Sequence, residues 1–184
     1  MRDKLITLIA GPTDRTKVFR FADISKEEYN SRLNELAETL SKNVGVANII
    51  PDQGVPFDLA KKFRELGGVV VGYVPRGGCE SLEDNFQYCD DVREFDGGWS
   101  TLNTCLSLRG DLITVIGMSP GTIVEVAYTK YHQRYAGKNM PVLMDEVLVP
   151  WKLPDFLSEE LDLRYFNDVM QLNAYLNEIR GEQI

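Results

Sequence analysis

The sequence predicts a doubly wound α/β fold: a mostly parallel sheet covered by helices on both faces, in a three-layer sandwich. Three observations predict it. Apolar runs of strand length alternate along the chain with segments of helical periodicity. The strand runs are apolar on both faces, as strands buried from both sides must be. Gly and Pro punctuate the ends of these runs, as in Gly11-Pro12 and Gly67-Gly68.

The elements follow in order. "LITLIAG" is a short β-branched run closed by Gly11-Pro12, a buried strand. "SKEEYNSRLNELAETLSKN" is a helix: Ser25 and Glu28 form a capping-box pattern, and Tyr29, Leu33, Leu36 and Leu40 share one face. "VGVANIIP" is a second strand. "PFDLAKKFRELGG" is a helix with Pro56 early and Gly67-Gly68 as its stop. "VVVGYVP" is a third strand. "CESLEDNFQYCDDVREFDGG" holds a short helix and then a strand, and "STLNTCLSLRG" a further helix. "DLITVIG" is a strand, "GTIVEVAYTKYHQRYAG" a helix through Ala136, and "MPVLMDEVL" a strand. In the tail, Val169, Leu172, Leu176 and Ile179 lie on one helical face. With 184 residues, no repeat and no linker, one domain is expected.

Composition narrows the function. The net charge of −8 argues against a nucleic-acid polymer or an anionic membrane as partner. The wide spacing of Cys79, Cys89 and Cys105 makes no disulfide framework. No signal peptide or run of spanning length is seen, so the cytoplasm is the expected location. One histidine, His132, with scattered cysteines makes no zinc site, and no metal or cofactor is expected. The acidic stretch Glu80–Asp96 reads as a solvated lid over the ligand crevice.

In parallel sheets ligands bind outside the C-terminal strand ends. The loops to watch are therefore Gly11–Arg15, Pro51–Pro56, Pro75–Gly78 and Gly117–Thr122. In the last, Ser119 can cap a helix, Pro120 suits its first position, and Gly121 lets a ligand approach the backbone. Free N–H groups at that start would make an anion site. One turn beyond Thr122 stands Glu125, a lone carboxylate among Ile123, Val124, Val126 and Ala127. It either caps a neighbouring backbone group or faces a ligand. Arg76, ending the third strand, is either a phosphate-binding guanidinium or a solvated loop residue. Trp99 either stacks on a base or packs. Asp14 and Arg15, with Thr13, are weaker candidates for nucleotide contact.

The segment "GTIVE" resembles the end of the P-G-G-x-G-T-x-x-E signature of LONELY GUY-type proteins. These are cytokinin-activating phosphoribohydrolases, with lysine-decarboxylase-like relatives in a Rossmann-like superfamily. "GVANIIPDQGVPFDLAKKFRELGGVVVGYVP" is similar to that family's strand, Gly-rich turn, helix and GG-x-V-I-G-x-x-P segment, and "PVLMDEVLVPW" and "FNDVMQL" fit its closing part. The resemblance implies a Rossmann-like fold and a homodimer paired through the tyrosine-rich helix Gly121–Ala136. It also implies a phosphate held at Gly121 and Thr122, with Gly117 and Ser119 in the same candidate turn, and Glu125 facing the sugar as the catalytic residue. Gly54 is the glycine kept in the second Gly-rich turn, and Asn103 matches the Asn of an Arg-Asn pair. The departures are specific. The family's Pro-Gly-Gly falls on Gly117, Met118 and Ser119, and its catalytic Arg position is Leu102. Two functions follow. One is a non-catalytic sensor or carrier of a nucleotide-like phosphorylated ligand, a class illustrated by molybdenum-cofactor carriers on a related fold. The alternative is a nucleoside-monophosphate N-glycosidase.

Overall fold

The computed structural model describes residues 4–77, 80–132, 134, 137 and 139–182. Among them lie seven strands: β1 Leu5–Ala10, β2 Val44–Ile49, β3 Val69–Pro75, β4 Asp91–Phe95, β5 Leu112–Val115, β6 Val142–Asp145 and β7 Leu163–Phe166. The helices are α1 Arg15–Ala22, α2 Lys26–Asn43, α3 Val55–Glu65, α4 Trp99–Leu106, α5 Pro120–Tyr128, α6 Asp155–Ser158 and α7 Val169–Gly181. All seven strands form one sheet in the order β4-β3-β2-β1-β5-β6-β7, and every pairing is parallel. This is the Rossmann-like three-layer fold that the alternating pattern predicts.

Strand alternation builds the layers. Leu5 and Ile9 of β1 join one core with residues of α2, α3 and α7, while Leu8 and Ala10 join a second with residues of α4 and α5. Leu112 against Ile113, and Leu143 against Met144, divide in the same way. Helix boundaries have local causes. Ser25 Oγ accepts from Glu28 N at 3.1 Å, and Glu28 Oε2 accepts from Ser25 N at 2.8 Å, completing the capping box. A Cβ at Gly68 would sit 2.1 Å from the Phe63 ring, so only glycine fits after α3.

The chain runs outward from β1 to β4, then α4 returns it across the sheet to β5 on the other side of β1. The loops after β1 and β5 therefore diverge, leaving the crevice in which such folds bind ligands.

Four parts of the chain differ from the sequence expectation. Helix α5 ends at Tyr128 and gives way to a 3₁₀ turn over Thr129–Tyr131. There the Thr129 hydroxyl donates to the Val126 carbonyl at 2.6 Å, competing with the helical ladder. Tyr135 and Ala136 lie outside the described residues, as do Gly78 and Cys79. The acidic stretch is not a lid. It forms a 3₁₀ helix, Glu80–Tyr88, and the sheet-edge strand β4, and none of its residues lines the crevice. Helix α1 and strand β7 go beyond the expected elements.

Candidate functional site

At the crevice a cavity of about 180 Å³ opens among the ends of β1 and β2 and the first turns of α4 and α5. Its lining includes Gly11 and Thr13 after β1, Asp52 and Gln53 after β2, Trp99 and Asn103 of α4, and Ser119, Gly121, Thr122 and Glu125 at α5. No lysine or arginine is among the described residues that line it.

The helix start is more closed than its sequence implies. Pro120 has no N–H, Thr122 N donates to Ser119 Oγ at 3.2 Å, and Ile123 N donates to the Ser119 carbonyl at 3.0 Å. That leaves the Gly121 N–H for an incoming anion, beside the Ser119 and Thr122 hydroxyls, which pair at 2.9 Å. A Cβ on Gly121 would meet only Ser119 Oγ at 3.7 Å and Asn103 Nδ2 at 3.9 Å, both ordinary contacts. The fold does not require glycine there. A side chain would instead occupy the cavity.

Glu125 inverts the ordinary helix rule. It is 7% exposed, while its neighbours Ile123 and Val124 are 44% and 40% exposed. Its carboxyl has no hydrogen-bond or ion-pair partner among the described residues, so the neighbouring-cap reading fails. Burial alone pushes it up to about 8. Asn103 adds a second unsatisfied group: its Oδ1 is buried without a partner. Two polar groups that lack protein partners therefore line one cavity, a costly arrangement unless something else satisfies them.

The other candidate residues are placed elsewhere. Gly54, at φ +110°, and Gly117 both stand against the Pro12-Thr13 loop. A Cβ on Gly54 would lie 2.4 Å from Thr13 Cα, and one on Gly117 2.5 Å from Pro12 Cδ. They let three loops converge and do not line the cavity. Arg76 is exposed and pairs with Asp96 at 2.9 Å and Glu94 at 3.4 Å. Asp14 caps α1 by accepting from Thr16 N, and Arg15 pairs with Asp58, which also accepts from the Tyr29 hydroxyl at 3.0 Å. Of that turn, only Gly11 and Thr13 reach the cavity. Leu102, at the family's arginine position, is fully buried in the α4–α5 core. Asp52, Gln53 and Pro56 also line the cavity; their loop was marked by its place after β2, with no residue pattern to single them out. Among the described residues no group of three or more His, Cys, Asp or Glu could hold a metal.

No protein-family model matches the sequence, and a search of curated proteins finds no match. Solved structures do match. The molybdenum cofactor carrier protein of Chlamydomonas reinhardtii aligns at 21% identity and a TM-score of 0.69, over 97% of this chain and 99% of that one. The molybdenum cofactor binding protein of Rippkaea orientalis aligns at 18% identity and a TM-score of 0.64, over 98% and 99%. A protein called TM1055 aligns at 19% and 0.65, over 94% and 98%. At these identities the likeness establishes a shared fold along nearly the whole chain.

Proposed function

We propose that this chain is a single-domain carrier or sensor that holds a nucleotide-like phosphorylated small molecule in the Ser119–Glu125 cavity. The observation that carries this reading is a cavity that brings together the buried, unpartnered Asn103 Oδ1, the mostly buried Glu125, whose carboxyl no protein group answers, and a helix start with an open N–H. The phosphate would take the Gly121 N–H and the Ser119 and Thr122 hydroxyls. Glu125 and Asn103 would bond the polar groups of the ligand beyond the phosphate, sugar hydroxyls among them. Gly54 and Gly117 would act from behind, by shaping the loops. Arg76 is left at the surface in this reading.

Support for a carrier over an enzyme comes from Leu102. An aliphatic side chain in the core cannot supply the charge that the resembling hydrolases use. The structural neighbours named for the molybdenum cofactor add a precedent for this fold carrying a cargo. The N-glycosidase remains a second reading for one reason: a buried carboxyl held near pH 8 is a competent general acid. A homodimer in the cytoplasm also belongs to our reading. The exposed Ile123 and Val124 offer α5 an apolar face for an isologous contact. Among the described residues no helix is long and apolar enough to cross a membrane.

Thermal shift tests the site. Nucleoside monophosphates should stabilise the protein more than the free nucleosides do. Gly121→Val should erase that difference without unfolding the chain, because its side chain fills the cavity and not the core. A difference unchanged in this variant places the phosphate elsewhere. Mass spectrometry of co-purifying ligands, with metal analysis for molybdenum, would identify a cargo. Release of free base and ribose 5-phosphate from any nucleotide would decide for the hydrolase.

A further inference from the structure

The cavity lining divides into two chemistries. Ser119, Thr122, Glu125 and Asn103 are polar, whereas Trp99, Ile50 and Pro56 present apolar surface. Trp99 opens α4 four residues before Asn103, so both lie on the helix face that meets the cavity. Leu102 between them turns the opposite way into the core. The indole lines the cavity yet stays 42% exposed, with no ring partner among the described residues. The second tryptophan differs: Trp151 meets Phe21 edge to face at 5.4 Å. A large aromatic face left uncovered beside unsatisfied hydrogen-bonding groups is suited to a ligand that is planar and apolar on its faces and polar elsewhere.

We propose that Trp99 is the specificity-determining residue of this cavity, its indole stacking on a planar heterocyclic ring joined to the phosphate-bearing part of the ligand. The inference rests on the phosphate reading of the Ser119–Thr122 turn and adds the residue that reads the ring, so that a heterocyclic phosphate ester is preferred over a bare sugar phosphate. Asp52, also in the lining, supplies a carboxylate for N–H groups on the ring edge.

The test compares adenosine monophosphate with ribose 5-phosphate, which shares the phosphate and sugar and lacks the ring. Calorimetry on the wild type should give the nucleotide an advantage of about tenfold or more, the range that base–aromatic stacking supplies. Trp99→Ala should lose that advantage while keeping its affinity for ribose 5-phosphate, and Trp99→Phe should restore most of it. Trp151→Phe leaves Trp99 as the sole tryptophan of the two in the sequence, so its emission should change on saturation with the nucleotide. Equal affinities in the wild type, or an advantage that survives in Trp99→Ala, would overturn the stacking and leave the phosphate reading standing. Binding of neither probe would overturn both. Should Trp99→Ala not fold, unchanged Trp99 emission at saturation overturns the proposal by itself.

Discussion

Two carboxylates are buried at the C-terminal side of neighbouring strands, Asp145 as the last residue of β6 and Glu125 in the helix after β5. Asp145 is 0% exposed and fully answered. Arg32 grips it with two bonds of 2.9 and 3.1 Å, and it accepts from Val147 N at 2.9 Å and Leu148 N at 3.4 Å. Burial raises its proton affinity, and the guanidinium and the two N–H groups pull against that. Glu125 has the burial and none of the answers. One carboxylate is a joint that ties α2 to the sheet. The other is left open on a cavity. The lesson is that burial of a charge identifies neither role; the inventory of its partners does.

The largest effect should come from breaking the answered side. Asp145→Asn removes the buried counter-charge that Arg32 grips with two bonds and leaves only the half-exposed Glu35, at 3.3 Å, to answer the guanidinium, at a cost of about 3 kcal/mol in chemical denaturation. A loss below about 1 kcal/mol would mean that Glu35 and water satisfy Arg32, and the contrast between the two sites would shrink.

The pH dependence of stability sharpens the comparison next. Folded Glu125 keeps its proton to about pH 8, whereas an ordinary glutamate loses it near 4.5. Between those values the folded state binds more protons than the unfolded state. Stability therefore falls as pH rises across that window, by up to about 1.4 kcal/mol per unit from this group. Glu125→Gln should remove this contribution. Denaturation curves at pH 5, 6 and 7 that keep the wild-type slope in the variant would show that Glu125 is satisfied after all.

At a single neutral pH the same variant should hold its melting temperature within a few degrees or raise it, the reverse of Asp145→Asn. Affinity for a stabilising nucleotide should fall by about tenfold, the worth of a lost hydrogen bond to a charged or buried group. Any glycosidase turnover should drop by about 10². Unfolding by Glu125→Gln would make the carboxylate structural.

The smallest effect is expected at Arg76. Its two ion pairs are exposed, so Arg76→Ala should cost about 0–1 kcal/mol and leave nucleotide binding unchanged. A fall in affinity would bring this loop back into the site.

These contrasts also mark what could be read from the residues alone. The strands were legible because burial on both sides leaves uninterrupted apolar runs, and α2 because its cap and its stripe agree. Helix α1 was hidden by its length: in the eight residues of "RTKVFRFA" Val18, Phe19 and Ala22 face the core, too few turns to establish a helical period. Strand β7, "LRYF", carries Arg164 inside a short edge strand and lacks the apolar run that betrays β3. At the cavity, Glu125 was conspicuous because a charge among four apolar residues breaks the local pattern. Asp145 was not, although its burial is deeper, because its partner stands 113 residues away. Gly54 and Gly117 were legible as glycines and not as to their purpose, since the Pro12-Thr13 loop that crowds them is remote in sequence from both.

That crowding has a kinetic consequence. Glycine backbone is packed against the Pro12-Thr13 loop from two sides, so the wall it gives the cavity is braced by Gly54 and Gly117. In the carrier reading, binding to a preformed cavity would forfeit little conformational freedom, so loading would not wait for this loop to close. For a carrier of that build, how long the cargo stays would be set by the bonds it makes in the cavity and not by the motion of this loop.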